Sequence, residues 1–160
     1  MIRIGKLTDY AFILLGQMAR ASSEVHAAAE LSARSGIALP TVSKVLKILA
    51  RAGFARSVRG SHGGYLLADL PEHLSVARII DAMEGPIALT DCATGEPHCR
   101  QAPFCNVRGH WSVINQALRA ALEAVTLADL LLPAADFREN ATFPLSALIS
   151  PQTSRAKETK

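Results

Sequence analysis

Three cysteines carry the most distinctive chemistry in this sequence of 160 residues. They fall within fourteen residues, at Cys92, Cys99 and Cys105, and the rest of the chain has none. Glycine and proline residues lie between them and predict a loop. Three thiolates in one loop are suitable ligands for zinc or for an iron–sulfur cluster, and an odd number of cysteines argues against a disulfide framework. The segment therefore predicts a metal centre.

The charged residues are distributed unevenly around this segment. The net charge of the chain is +3. Residues 1–70 carry nine Lys and Arg residues against four Asp and Glu residues, whereas residues 71–160 carry eight against ten. A basic first half predicts a surface that binds nucleic acid.

Hydropathy predicts a cytoplasmic protein with no membrane partner. No apolar stretch reaches the ~20 residues that are needed to cross a bilayer. The apolar run Ala11–Leu15 is short, and polar residues stand close to it on both sides, which is not typical of a secretory signal peptide. In the cytoplasm the thiols would stay reduced and available to a metal.

Helical and extended patterns follow one another in the order of a winged helix-turn-helix. Apolar residues at helical spacing predict helices over about 8–20 and 27–35, and a third from Pro40 to the glycine at Gly53. Short runs at Phe54–Val58 and Tyr65–Ala68 flank a glycine-rich turn and predict a hairpin. The predicted fold class is mainly α with a small β-hairpin.

The third helix and the hairpin tip contain the candidate DNA-binding residues. One face of the helix is apolar, and the other offers short polar and basic side chains of the kind that contact base edges and phosphates. The tip places an arginine where a wing would enter a minor groove, beside glycines that would let the backbone approach the duplex closely. The candidates are Thr41, Ser43, Lys44, Lys47, Arg51, Arg59, Gly60, Ser61, Gly63 and Gly64.

The second half of the chain predicts a short helix near 76–83 and one long helix over 109–132. The long helix repeats apolar residues at spacings of three and four, which suits either a core or a partner helix. These residues are Trp111, Ile114, Leu118, Leu122 and Val125. The predicted organisation is a winged helix-turn-helix at 1–70, a connecting helix and cysteine loop at 71–108, the long helix at 109–132, and a disordered tail at 133–160.

Several motifs together resemble the Rrf-two family of bacterial winged-helix regulators. They are L-T-D-Y-A at Leu7–Ala11, R-A-G-F at Arg51–Phe54, S-V-R-G-S-H-G-G-Y-L-L-A at Ser57–Ala68, V-A-R-I-I-D-A-M-E-G at Val76–Gly85, and the three cysteines. The family includes iron–sulfur regulators of the Isc and Suf cluster-assembly systems and nitric-oxide-sensing repressors. The resemblance covers about residues 1–132.

The resemblance implies a homodimeric transcription regulator that is not an enzyme. It implies that the long helix dimerises, that Arg59 and the third helix bind a double-stranded operator, and that Cys92, Cys99 and Cys105 ligate an iron–sulfur cluster. The implied role is a repressor of cluster-assembly genes, with a nitric-oxide- or redox-responsive repressor as the alternative.

The resemblance leaves the fourth ligand open between two residues. Arg108 stands where the cluster-assembly regulators with a 2Fe–2S centre have a histidine, and the nearest histidine after it is His110. Asp9 matches the aspartate that serves as fourth ligand in the nitric-oxide-sensing members, and His98 is a more distant candidate. The cluster is therefore expected to be 2Fe–2S or 4Fe–4S. Three cysteines and a histidine would also suit structural zinc, as in a winged-helix adaptor that binds proteins instead of DNA.

Overall fold

The first three helices form a helix-turn-helix unit. In the computed structural model, which describes residues 3–60, 62–90, 93, 104–133 and 135–137, helix α1 spans Lys6–Ala19, α2 spans Ala28–Ser35 and α3 spans Leu39–Arg51. Gly36 ends α2 in the left-handed region with a φ of 71°, a conformation that suits glycine. These bounds agree with the helices predicted from apolar spacing.

A two-stranded antiparallel hairpin follows α3 directly. Strand β1 spans Ala55–Val58 and strand β2 spans Gly64–Leu67. Ala55 lies opposite Leu67, and both side chains are buried. The hairpin is joined to the end of α3 by a hydrogen bond from the backbone N–H of Phe54 to the carbonyl oxygen of Leu49, at 2.9 Å. The predicted winged helix-turn-helix is therefore confirmed.

The core forms where α1, α3 and the hairpin meet. Helix α3 buries four apolar side chains at helical spacing, and α1 contributes a similar stripe. Burial of a whole aliphatic side chain stabilises the fold by roughly 1.5–3 kcal/mol, so these stripes hold α3 firmly while its other face stays exposed. The fully buried residues of the two helices are Ala11, Leu14, Leu15, Met18, Val42, Val45, Leu46 and Leu49.

In the part of the chain that the structure describes, the hairpin is followed by α-helices α4, α5 and α6. After a short 3₁₀ helix at Pro71–His73, α4 spans Val76–Glu84, α5 spans Arg108–Glu123 and α6 spans Leu127–Leu131. None of the helices in the described ranges has the length and apolar character that a bilayer crossing requires.

The single helix predicted over 109–132 is wrong, because the chain breaks between α5 and α6. Thr126 begins α6 with a capping box, in which its hydroxyl accepts from the Asp129 N–H while the Asp129 carboxylate accepts from the Thr126 N–H. The break is also held by backbone pairing, since the Val76 N–H donates to the carbonyl of Val125 at 2.8 Å. Val125 therefore lies in the connection and does not continue the apolar seam of α5.

Helix α6 belongs to the core of the winged helix. Leu127 is 1% exposed, and its N–H donates to the carbonyl of Leu74 at 2.8 Å. Leu131 packs close to Gly16 of α1. Of the tail predicted to be disordered, residues 135–137 are helical, and residues 138–160 lie outside the described residues.

Candidate nucleic-acid interface and cysteine segment

Helix α3 presents its predicted polar face to solvent. Lys44, Lys47 and Arg51 are exposed, and Thr41 and Ser43 are half-buried beside them. The arrangement follows from the helical period, because the four buried residues occupy one side and the basic residues fall opposite. Three cations on a rigid helix can pair with phosphates, and the hydroxyls can reach base edges or phosphates.

The turn between the strands presents Arg59 beside a tight backbone bend. Arg59 is exposed. Gly60 has a φ of 122°, a backbone conformation that residues with a side chain rarely adopt. The Gly60 carbonyl oxygen accepts a hydrogen bond from the Gly63 N–H at 3.0 Å. A Cβ at Gly63 would lie 2.6 Å from the carbonyl oxygen of Val58. The glycines thus shape the turn that carries Arg59, while Ser61 lies outside the described residues.

We expect Arg59→Ala to weaken operator binding by roughly 1–3 kcal/mol, because an arginine at a wing tip inserts into the minor groove. Binding is measured by fluorescence anisotropy of a labelled operator duplex at fixed salt. Arg20→Ala is the matched control, since Arg20 is an exposed arginine at the end of α1 and belongs neither to α3 nor to the hairpin. Equal affinities for the two variants would exclude the wing from the interface.

Gly64 has an internal role that the sequence does not indicate. A Cβ at Gly64 would lie 2.4 Å from the carbonyl oxygen of His26. His26 and Tyr65 exchange two backbone hydrogen bonds, at 2.8 and 2.9 Å, so the hairpin is held against the segment between α1 and α2. The close approach made by this glycine is to the chain itself.

We expect Gly64→Ala to lower the free energy of unfolding by about 2–4 kcal/mol, because the new methyl group must push the two backbones apart and disturb their hydrogen bonds. Urea denaturation measures the change. Gly109→Ala is the control, because a Cβ there meets open space on α5. That variant should be unchanged or up to about 1 kcal/mol more stable. Equal stabilities of the two variants would contradict the proposed clash.

Of the predicted cluster ligands, Cys105 is the thiol that the structure describes. It is half-buried, and it forms no disulfide within the described part of the chain. It lies three residues before α5 begins. Cys92, Cys99 and His98 lie outside the described residues. Within the described ranges, therefore, no three metal-binding side chains are found together.

A buried asparagine on α5 holds the chain that leads into the cysteine segment, residues 92–105. Asn115 is 8% exposed, and its amide spans the backbone of the preceding connection. Its Nδ2 donates to the carbonyl of Ile87 at 3.1 Å, and its Oδ1 accepts from the N–H of Leu89 at 3.0 Å. Arg108, where α5 begins after Cys105, and Asn115 are about 10 Å apart along the helix. The connection before the cysteine segment and Cys105 at the end of that segment therefore both lie near α5.

We expect Asn115→Leu to lower the free energy of unfolding by roughly 1–3 kcal/mol, because the half-buried Leu89 N–H and Ile87 C=O each lose their partner. The matched control is Gln116→Leu at the neighbouring exposed position, which should change stability by less than about 0.5 kcal/mol. Urea denaturation distinguishes the two variants. A loss equal to that of the control would show that the amide does not hold the connection.

Polar contacts continue from this connection to the winged helix. Asp81 of α4 accepts from the Ile87 N–H at 3.0 Å and from Arg119 of α5 at 2.9 Å. The hydrogen bond to Asp81 raises the pKa of Arg119, so the guanidinium stays charged. At the end of α4, Glu84 accepts from the hydroxyl of the buried Thr8 of α1. Helix α4 is thus fixed to α5 on one side and to α1 on the other.

The two principal candidates for a fourth ligand are both exposed. Asp9 lies in the first turn of α1, at an open cavity of about 550 Å³ that Arg3, Lys6 and Phe12 also line. His110 lies in the first turn of α5, at a cavity of about 470 Å³.

One part of the predicted apolar seam of α5 packs against this chain, and the other part is exposed to solvent. Leu118 and Leu122 are half-buried and line a cleft with Ile80 of α4 and the connection that follows it. Trp111 and Ile114 are 38% and 47% exposed. The exposed half of the seam is thus free to contact a partner, whereas the other half already packs against this chain.

Comparison with known proteins identifies the family. A family model described as "Rrf2: Iron-dependent Transcriptional regulator" matches residues 4–133. Protein rrf2 of Nitratidesulfovibrio vulgaris is 32% identical over 70% of this chain and 75% of its own length. The HTH-type transcriptional regulator NsrR of Bacillus licheniformis is 27% identical over 82% of this chain and 93% of its own length. The HTH-type transcriptional regulator IscR of Aliivibrio salmonicida is 29% identical over 65% of this chain and 61% of its own length.

Solved structures show the same fold. CymR, described as the global cysteine regulator of B. subtilis, is 23% identical with a TM-score of 0.65 and covers 82% of this chain and 97% of its own. IscR of T. potens is 24% identical with a TM-score of 0.61, and the match covers 81% of this chain and 86% of that protein's chain. The named relatives are transcriptional regulators, which confirms that no enzyme is to be expected. With its family matched over residues 4–133, the chain belongs to the Rrf2 family of DNA-binding transcriptional regulators.

Proposed function

We propose that this regulator is a cytoplasmic homodimeric repressor whose operator binding is controlled by an iron–sulfur cluster. In this proposal Cys92, Cys99 and Cys105 hold the cluster, and its state sets the relative position of the two winged helices. The genes it controls are those of iron–sulfur cluster assembly. The family description names iron, and the wing and cysteine motifs resemble regulators of that process.

The observation that carries the proposal is that α5 holds the connection before the cysteine segment and closely follows Cys105 at the end of that segment. Cys105 lies three residues before α5 begins, and Asn115 holds Leu89, which precedes the first cysteine by three residues. A change in the segment is therefore transmitted to α5 and, through the Asp81–Arg119 ion pair, to α4. A local change at a metal site can in this way bias a dimer between two arrangements.

The donor set fits an iron–sulfur cluster. Three thiolates are the soft ligands that iron in such clusters prefers, and a carboxylate or an imidazole can complete the set. Asp9 and His110 are both exposed and can take this role. As the family resemblance implies, Asp9 of one subunit would complete the ligand set of the other subunit. A bound cluster would supply a redox-active centre.

The nitric-oxide- or redox-responsive repressor is the second candidate, and it is favoured by the exposure of Asp9. This residue stands in the first turn of α1, where an open cavity leaves its carboxylate accessible. If Asp9 is the fourth ligand, the chain resembles the nitric-oxide-sensing members more than those with a histidine. Asp9→Ala compared with His110→Ala separates the two, since only the ligand's variant should alter the cluster absorption.

The proposed function is tested by purification of the protein without oxygen. We expect a brown protein that contains iron and acid-labile sulfide in equal amounts. A colourless protein that contains one zinc ion per chain and does not bind duplex DNA would overturn the proposal and favour the zinc-stabilised adaptor. The absorption spectrum would distinguish 2Fe–2S from 4Fe–4S.

A further inference from the structure

The first turn of α3 exposes apolar side chains where a recognition helix meets DNA. Leu39 is 44% exposed, and Pro40 beside it is also exposed. One exposed leucine on a surface is ordinary. The position of Leu39 is unusual, because the first residues of the second helix in a helix-turn-helix are those that contact base edges in the major groove.

The other side chains of α3 limit what the helix can recognise. Its sequence, L-P-T-V-S-K-V-L-K-I-L-A-R, contains no Asn, Gln, Asp or Glu, and its arginine is the last residue. The helix therefore lacks the amides that pair with adenine and the carboxylates that accept from cytosine. Its lysines suit phosphate or guanine, and Thr41 and Ser43 can hydrogen-bond to several bases. Thr41 also carries a methyl group that can contact a thymine, but Thr41 is half-buried, whereas Leu39 is exposed.

We infer that Leu39, together with Pro40, recognises thymine in each operator half-site through its 5-methyl group. This methyl is the apolar group that base pairs present in the major groove. Contact with Leu39 would remove both the methyl group and the exposed part of the leucine from water. Leu39 is thus a specificity-determining residue, while the cations of α3 contribute affinity that depends less on sequence.

The inference rests on DNA binding by the family and not on the cysteine segment, so it can be tested independently of the cluster. The full-length protein first selects its operator from a pool of duplexes with a random central region. Each thymine of the selected half-site is then replaced, in both half-sites together, by deoxyuridine. This base pairs as thymine does and lacks the methyl group.

For the wild-type protein we expect one thymine position at which uracil weakens binding by about 4-fold per half-site, the value for one buried methyl group. For Leu39→Ala, the thymine and uracil duplexes should bind with nearly equal affinity. Leu39 is exposed and alanine favours helices, so this variant should fold. Leu130→Ala is the matched control, since Leu130 is 45% exposed on α6, and it should keep the wild-type ratio.

Two results would overturn the inference. One is a selected operator in which uracil is tolerated at every thymine. The other is a Leu39→Ala protein that discriminates thymine from uracil as well as the wild type does. If the pool yields no enriched sequence, DNA binding itself is contradicted and the inference fails with it. An enriched operator without a uracil effect removes the inference alone.

Discussion

We expect replacement of Cys105 by alanine to abolish the iron–sulfur absorption of protein purified without oxygen and to lower its iron and sulfide to background. We expect the same of Cys92→Ala and Cys99→Ala. The physical reason is that the chain supplies three thiolates and no fourth cysteine. The loss of one would leave a cluster with two soft ligands and at most one carboxylate or imidazole. Absorption spectra together with iron and sulfide analysis measure the effect.

A matched control separates ligand loss from damage to the fold. Asn106→Ala changes the exposed residue next to Cys105 and should keep the full absorption. Each cysteine variant should remain a dimer and should unfold as cooperatively as the wild type after cluster removal. A fully coloured Cys99→Ala protein would show that the ligands are assigned wrongly.

We expect the double substitution Trp111→Glu with Ile114→Glu to convert the proposed dimer into monomers and to weaken operator binding by on the order of 100-fold or more. Both side chains are exposed on α5, and four carboxylates facing one another across a two-fold interface would repel. A monomer contacts one half-site and loses the gain in effective concentration that links two binding units. Light scattering measures the mass, and anisotropy measures the affinity.

The control for this variant adds the same charge to the polar side of the same helix. Ser112→Glu with Gln116→Glu changes two exposed residues and should leave the dimer intact. Leu118 and Leu122 are unsuitable for this test, because they line the cleft against α4 and their replacement would disturb the chain's own packing. An intact dimer of the Trp111→Glu and Ile114→Glu variant would place the interface elsewhere.

The winged helix could be predicted from the sequence because its signals are local. Apolar residues at helical spacing define the buried side of α3, and Gly53 ends the helix with a φ of 82°. The exposed face of α3 then follows from the same period. The glycines around Arg59 predict a tight turn, which the structure shows in the bond between Gly60 and Gly63.

The break between α5 and α6 could not be predicted in the same way. The apolar period continues through 109–132, so it hides the capping box at Thr126. The break depends on pairing with the backbone of Leu74 to Val76, some fifty residues earlier in the chain. Spacing along one segment holds no information about such a distant partner.

Asn115 and Gly64 show a similar limit. A polar residue within an amphipathic helix is ordinarily taken to face solvent, yet Asn115 is buried because two backbone groups of the connection need its amide. Gly64 begins β2 directly after a glycine-rich turn, where its sequence neighbours suggest a role at DNA. Its actual constraint is the carbonyl of His26, which is brought close only by the tertiary fold.

The central claim is that the state of the cluster sets the affinity for the operator. One preparation purified without oxygen is divided, and the cluster is removed from one half by a chelator and an oxidant. Both halves are titrated with the selected operator at the same salt concentration. The account predicts dissociation constants that differ by about 5-fold or more, the range of ordinary allosteric coupling. Equal dissociation constants in two halves that differ fully in iron content would contradict it.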